Sequence, residues 1–271
     1  MKLFLIRHAE CEHNVGKTSG NADHSGLTDL GKTQAQLLAR HFRDRTVCFT
    51  HVLSSDLDRA TDTARVICQY QLGSGPLLEP IQTEALREQW FASGKEPGSR
   101  RGPSEESMSS MRARANGFLR DHILPLLADR ARNDAVVAVV AHGIILQVVW
   151  ACLADLFASF YLARNVDSAA SDYMHPVWSN TGVLELDIWT GGLPEEMVLV
   201  HAVHPDVKPP WLVSLDQPPM EHPLAGWSVT IMAVDSTVHL DGNLHTMTVP
   251  DSPHRSRQQP MDDFYRLTGT A

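Results

Sequence analysis

Seven apolar residues in succession, Ala135-Val136-Val137-Ala138-Val139-Val140-Ala141, constrain the fold of this chain more than any other feature. No polar residue interrupts them, so an extended segment here has no face suited to water. Such a strand belongs inside a sheet that is covered on both sides. Leu3-Phe4-Leu5-Ile6 has the same character, His51-Val52-Leu53 reads as a further short strand, and Ile81-Gln82-Thr83 as a brief one. Amphipathic stretches lie between them. Thr28 offers an N-cap, and Leu30, Leu37, Leu38 and Phe42 fall near one helical face through Arg43. Ser55 is placed to cap a second helix that runs through Ala60, Ala64, Val66 and Ile67. A third helix is expected over about Glu106 to Leu127, and a fourth over Ile144 to Phe160. Repeated strand-then-helix order predicts an α/β fold, a three-layer sandwich with a mainly parallel central sheet flanked by helices.

Further along, Val183-Leu184-Glu185-Leu186-Asp187-Ile188 alternates as a strand, and Met197 to Val203 is expected to pair with it across a Gly191-Gly192 turn. Composition shifts near His204. Pro205, Pro209, Pro210, Pro218, Pro219 and Pro223 mark a stiff linker or wrapped arm. Trp227 to Val234 and Val238 to Val249 then read as a hairpin around Asp241-Gly242-Asn243, and Asp251 to Ala271 as a polar, mobile tail. The expected division is a catalytic domain over residues 1–204 and a C-terminal extension over 205–271. The extension can lie on a sheet edge, wrap the core, or form a homodimer contact.

Charge and composition remove several function classes. The 271 residues carry 23 Lys and Arg against 32 Asp and Glu, a formal charge of −9, which argues against a general nucleic-acid binder. No apolar run approaches the roughly 18 residues that would cross a membrane. The apolar start is too short for a signal peptide. Cys11, Cys48, Cys68 and Cys152 lack paired or metal-like spacing, and no Asn-x-Ser/Thr acceptor occurs, so a cytoplasmic location is expected.

Three polar clusters each follow directly on an expected strand: Arg7-His8, Ser54 to Arg59, and His142-Gly143. Open α/β sheets bind ligands beyond the carboxyl ends of their strands. Two arginines and two histidines therefore converge on one rim, a local reversal of sign in an acidic chain. Forked guanidinium donors suit a phosphate or carboxylate. A neutral imidazole can attack phosphorus near pH 7, while the other cationic groups stabilise the equatorial oxygens of the transition state. A leaving alkoxide needs a proton; Glu88 is the candidate acid, with Glu84 the competing choice. Gly143 is read as allowing close backbone approach beside His142. Cys11 reads as an incidental thiol, and His201 and His204 as structural.

The ordered motifs resemble a known family. Arg7-His8-Ala9-Glu10, Asn14 and Leu27-Thr28-x-x-Gly31-x-x-Gln34-Ala35 are similar to the opening of the histidine phosphatase superfamily, phosphoglycerate mutase-like branch. Ser54-Ser55-Asp56-Leu57-Asp58-Arg59-Ala60-x-x-Thr63-Ala64 resembles its second signature. Leu86-x-Glu88, Ala141-His142-Gly143 and Ser179-Asn180-Thr181-Gly182-Val183 match the rest in order. The likeness covers about Met1 to His204, with Ala9 standing where the family more often has Gly.

The resemblance implies a histidine acid-type phosphatase. His8 would be the nucleophile that forms a phosphohistidine. Arg7, Arg59 and His142 would hold the phosphoryl group, with Asn14 as a further polar contact or simply a turn residue. Glu88 would serve as general acid and base. No metal or organic cofactor is implied, and the partner is a small phosphorylated substrate, a monoester or diphosphate. The spacing of Gly16 to Gly26 differs from the mutases, which favours hydrolysis; a phosphomutase and a catalytically silent phospho-ligand scaffold are the alternatives. Lys95, Arg100 and Arg101 sit in a Gly- and Pro-rich loop that can read a second anionic group or stay solvated. Trp90, Phe91, Trp178 and Trp211 either accommodate an aromatic leaving group or belong to the core.

Overall fold

Strand β1 (Lys2–Arg7) lies between β4 (Val136–Ala141), to which it is parallel, and β6 (Val183–Thr190), to which it is antiparallel. The uninterrupted apolar runs are explained by what covers them. Leu3, Leu5, Val137 and Val139 pack in one buried cluster, while Phe4, Ile6, Ala138 and Val140 pack in another. Successive residues of a strand point to opposite faces, so both faces of this sheet are core. The first cluster is closed by α3 (Met108–Phe118) and α5 (Gly143–Ala154), the second by α1 (Asp29–Asp44) and α2 (Asp58–Gln69). The result is a three-layer α/β sandwich.

The structure is a computed structural model that describes residues 1–16, 25–71, 78–89, 106–128, 134–157, 159–163, 166, 173–190, 198–202, 224 and 226–242. With β2 (His51–Ser55), β3 (Ile81–Thr83), β5 (Ser159–Leu162), β7 (Val198–Ala202) and β8 (Trp227–Ser236), the sheet runs β3-β2-β4-β1-β6-β8-β5-β7. The pairings β1–β4, β2–β4, β2–β3 and β5–β8 are parallel, and the remainder antiparallel. Among the described residues no helix is long and apolar enough to cross a membrane.

The structure departs from the sequence reading in five places. The fourth helix ends at Ala154, and Ser159–Leu162 is strand β5. Phe157 and Phe160 pack with their rings edge-on to each other, and Phe160 also meets Trp150, so an apolar pattern continues across the end of the helix. Periodicity does not separate a buried strand from a buried helix. Strand β7 pairs with β5, not with β6, because the longer β8 takes the second edge of β6 along almost its whole length. That puts Trp227–Ser236, expected in a hairpin of the extension, inside the sheet; Val238–Leu240 is a 3-10 turn. Ser55 does not cap α2, which begins at Asp58, although its hydroxyl accepts from the Leu57 N–H at 3.3 Å. The third helix is α3, a π-helical turn over Leu119–Ile123, and α4 (Leu124–Ala128). The wider turn ends two residues before Pro125, which has no N–H to donate and whose ring would crowd the carbonyl of Asp121.

The Gly191-Gly192 turn, the prolines from 205 to 223, and the segments 90–105 and 243–271 lie outside the described residues.

Candidate active site

The parallel ladder between β1 and β4 continues one residue past β1, where the His8 N–H donates to the Ala141 carbonyl at 2.9 Å. This sets His8 beside His142, with ring centroids 5.0 Å apart and planes inclined by 60°. Arg59 enters from the first turn of α2. The Thr63 hydroxyl donates to the Arg59 carbonyl and accepts from the Ala9 N–H at 3.1 Å, so the start of α2 is tied to the chain just beyond His8. On the other side, Thr28 caps α1 at Gly31 and its hydroxyl also donates to Glu10. Gly31 has no side chain because a Cβ there would collide with the Glu10 carbonyl oxygen. The Thr28-x-x-Gly31-x-x-Gln34 motif thus anchors the backbone at residues 9–11, with Gln34 accepting from the Glu10 N–H.

His8 is buried, and its Nδ1 lies 2.7 Å from the Ala9 carbonyl. A carbonyl only accepts, so Nδ1 carries the proton and Nε2 keeps its lone pair. Burial, then Arg7 and Arg59, holds the His8 pKa well below the ordinary histidine range, and the ring is neutral at pH 7. His142 is likewise held neutral, by burial first and then by His8, Arg59 and Arg7. Neither ring nitrogen of His142 has a hydrogen-bond partner among the described residues, and the Arg7 Nε is similarly buried without one. Buried polar groups are normally paired, and unpaired ones cost about 1–3 kcal/mol each. Three unpartnered nitrogens at one rim suit an oxygen-rich ligand.

Arg7 is fixed from behind. Its Nη1 donates to the Trp178 carbonyl at 2.6 Å, and its backbone is clamped by the 178–182 turn, through Arg7 N–H to Gly182 carbonyl and Thr181 N–H to Arg7 carbonyl. Burial lowers the Arg7 pKa, opposed by Glu88 first among its neighbours. Asn180 Nδ2 donates to the His8 carbonyl at 3.0 Å and to Asn14 Oδ1 at 3.3 Å. The same Asn14 oxygen accepts from the Cys11 N–H and thiol, so Asn14 braces a turn beside His8.

The two candidate acids part company. Glu88 Oε1 accepts from the Gln89 and Ile145 N–H groups and Oε2 from that of Ile144, which seats its carboxylate on the first turn of α5 next to His142. Glu84, 78% exposed in its side chain, faces solvent and pairs with Arg87. Arg114 of α3, which the sequence reading missed, donates to the carbonyls of Ala85 and Arg87 at 2.8 Å and forks onto Glu106. It holds the turn that delivers Glu88, and nothing in its helical context signals this.

Asp235 was also missed; it accepts from both the N–H and the hydroxyl of Ser179. Trp178 is core, its indole donating to Gln147. Gly143 is not a point of close approach, since a Cβ there would meet Trp178 Cβ at an ordinary 3.9 Å. Trp90, Phe91, Lys95, Arg100, Arg101, His204 and Trp211 lie outside the described residues. Among those described, no group of three or more His, Cys, Asp and Glu is arranged to hold a metal ion.

A family model for the histidine phosphatase superfamily (branch 1) matches residues 3–176. The curated relatives include a probable phosphoglycerate mutase GpmB of Yersinia enterocolitica, 29% identical over 202 residues that cover 67% of this chain and 89% of the relative. Its counterpart in Yersinia pestis is 28% identical over the same shares. Similar solved structures include a mycobacterial glucosyl-3-phosphoglycerate phosphatase, at 22% identity and TM-score 0.47 over 69% of this chain and 91% of that one. Bacillus stearothermophilus YhfR is another, at 20% identity and TM-score 0.48 over 73% and 95%. The matched span contains Arg7, His8, Arg59, Glu88 and His142, and the chain belongs to the histidine phosphatase superfamily, branch 1.

Proposed function

We propose that this protein is a metal-independent phosphatase that hydrolyses a phosphate monoester or diphosphate of a small metabolite in the cytoplasm. The observation that carries the reading is a neutral His8 with Nδ1 engaged by a carbonyl, beside a buried His142 whose ring nitrogens are unpartnered among the described residues. In the first step the Nε2 lone pair of His8 bonds to phosphorus as the bond from phosphorus to the leaving oxygen breaks. Glu88 delivers a proton to that oxygen. Arg7, Arg59 and His142 donate to the three equatorial oxygens, in a site closed enough for such donors to act strongly. In the second step water attacks phosphorus, Glu88 takes its proton, and the bond to Nε2 breaks to return neutral His8 and free phosphate. Nδ1 keeps its proton throughout, donated to the Ala9 carbonyl, and this bond keeps the ring in one orientation.

The names of the Yersinia relatives favour a second reading, a phosphomutase, in which the phosphohistidine is captured by bound product instead of water. Both readings are tested by incubating wild type and His8→Ala with a panel of phosphorylated metabolites in EDTA, following free phosphate and the phosphorylated products. Phosphate release by wild type alone supports the phosphatase. Isomerised substrate without phosphate release supports the mutase. Release that survives His8→Ala overturns the assignment of the nucleophile, and binding of phosphate without turnover of any kind supports a silent binder.

A further inference from the structure

The family model stops at residue 176, yet the turn that fixes Arg7 is held from residues 235–239. Between Val183 and Glu185, β6 advances two residues while β8 runs three, from Ser236 back to Ala233. The extra residue makes a β-bulge, a device that re-aims a side chain out of the ladder. Asp235 sits in it with φ +45°, a left-handed conformation that a non-glycine residue keeps only when surrounding contacts hold it.

The re-aimed carboxylate lands on the 178–182 turn. Oδ1 accepts from the Ser179 N–H at 2.7 Å and Oδ2 from the Ser179 hydroxyl at 2.8 Å. Gly182 makes room for it, because a Cβ at 182 would collide with Asp235 Oδ1. Trp178 and Thr181 in this turn are themselves left-handed, at φ +58° and +57°, conformations that non-glycine residues keep only where surrounding contacts hold them. His239 Nε2 lies 2.8 Å from the Thr181 hydroxyl and braces the turn at its other end. The held carbonyl of Trp178 takes Nη1 of Arg7. Burial raises the Asp235 pKa while Ser179 and the charge of Arg7 pull the other way, so the carboxylate and the guanidinium also sense each other directly.

We propose that Asp235 is a positioning residue for the phosphate site, locking the Ser179 turn so that the Arg7 guanidinium meets the phosphoryl oxygens at a fixed angle. The inference rests on the reading of Arg7 as a phosphate ligand. The C-terminal segment thereby supplies a working part of the site, not only a covering strand.

The test is a double-mutant cycle read by calorimetric titration with inorganic phosphate, with steady-state kinetics alongside. Asp235→Asn keeps the shape and one acceptor but loses the charge. It is expected to weaken phosphate affinity and lower kcat/KM about tenfold, since small displacements of a positioned group carry losses of that order or more. In an Arg7→Ala background the same substitution is expected to change phosphate affinity by less than about twofold, because coupled residues are non-additive. A merely structural role would give the same loss in both backgrounds. Wild-type phosphate affinity in folded Asp235→Asn, or an undiminished loss in the Arg7→Ala background, overturns the proposal. Should Asp235→Asn fail to fold, Ser179→Ala removes one of the two contacts from the other side and is held to the same cycle. Failure of the phosphatase reading looks different: wild type binds phosphate and the cycle holds, but no ester is turned over. If wild type binds no phosphate, both ideas fall.

Discussion

Replacing His142 by leucine should make the protein more stable as it makes it inactive. The His142 ring is buried, and neither nitrogen has a hydrogen-bond partner among the described residues. Leaving one such polar group unpaired costs about 1–3 kcal/mol, and an imidazole of this kind carries one donor and one acceptor. Leucine is of similar volume, brings no polar atom, and loses no cap, since the His142 side chain does not cap α5. We therefore expect His142→Leu to gain about 2 kcal/mol. In a chain of this size each kcal/mol is worth about 2–4 °C, so Tm should rise by about 4–8 °C. Thermal and urea unfolding should be run with and without inorganic phosphate. Phosphate should stabilise wild type through preferential binding to the folded state and leave the variant almost unmoved. Phosphate release should fall by at least 100-fold, the usual loss on removing one preorganised donor. A destabilisation of more than about 1 kcal/mol in the absence of phosphate would refute the reasoning. The ring would then be contributing to the free protein, and its nitrogens would not be held in reserve for an anion.

Three other outcomes are expected. His8, His142 and His239 all have lowered pKa values in the folded state, His239 to about 4, with burial the first cause in each. The unfolded chain therefore binds more protons than the folded one below the unfolded value of about 6.5. Tm should fall steadily as pH is lowered from about 6.5 towards 4; constant stability across that window would contradict the buried neutral rings. Gly31→Ala drives a methyl group into the Glu10 carbonyl, so it should cost about 1–3 kcal/mol and lower kcat/KM by shifting residues 9–11, as urea midpoints and kinetics would reveal. Arg114→Lys cannot reproduce the fork onto Glu106 with two carbonyl contacts, so it should loosen the turn before Glu88. Its kcat should drop about tenfold on alkyl phosphates and much less on p-nitrophenyl phosphate, whose leaving group needs no proton; equal losses on both would place Arg114 outside the delivery of Glu88.

The parts of the fold that were legible in the sequence are those whose cause is local. Leu3–Ile6 and Val137–Val140 have no polar face, and the structure buries both faces. Thr28 caps its helix because its hydroxyl reaches a N–H three residues on. The polar residues just past β1, β2 and β4 meet at one rim because parallel strands end together. Pairing partners were not legible. Strands β6, β7 and β8 each read as strands, but which edges join depends on competition between segments far apart in the chain. Phe157 and Phe160 misled for a related reason, since burial in one cluster imposes an apolar pattern without dictating a helix. The support around the site was the least visible. Arg114 and Asp235 bond to groups of turns distant in the chain, and a side chain that holds such a turn leaves no spacing to read.

The place of β8 in the sheet has a consequence for how the protein is made. Among the described residues, strands β5 and β7 join the rest of the sheet only through β8, whose last residue is Ser236. During synthesis, β1, β2, β4 and α5 can all emerge and pack while β6 still exposes a full row of unpaired N–H and carbonyl groups along one side. A nascent chain halted near residue 204 is therefore an adhesive intermediate, open to edge-on association with its neighbours on the same message. Only when about thirty more residues have left the ribosome can that edge close, and Asp235 arrives with the same strand. The same late strand thus brings both the brace on the Ser179 turn and the cover for the open edge of β6.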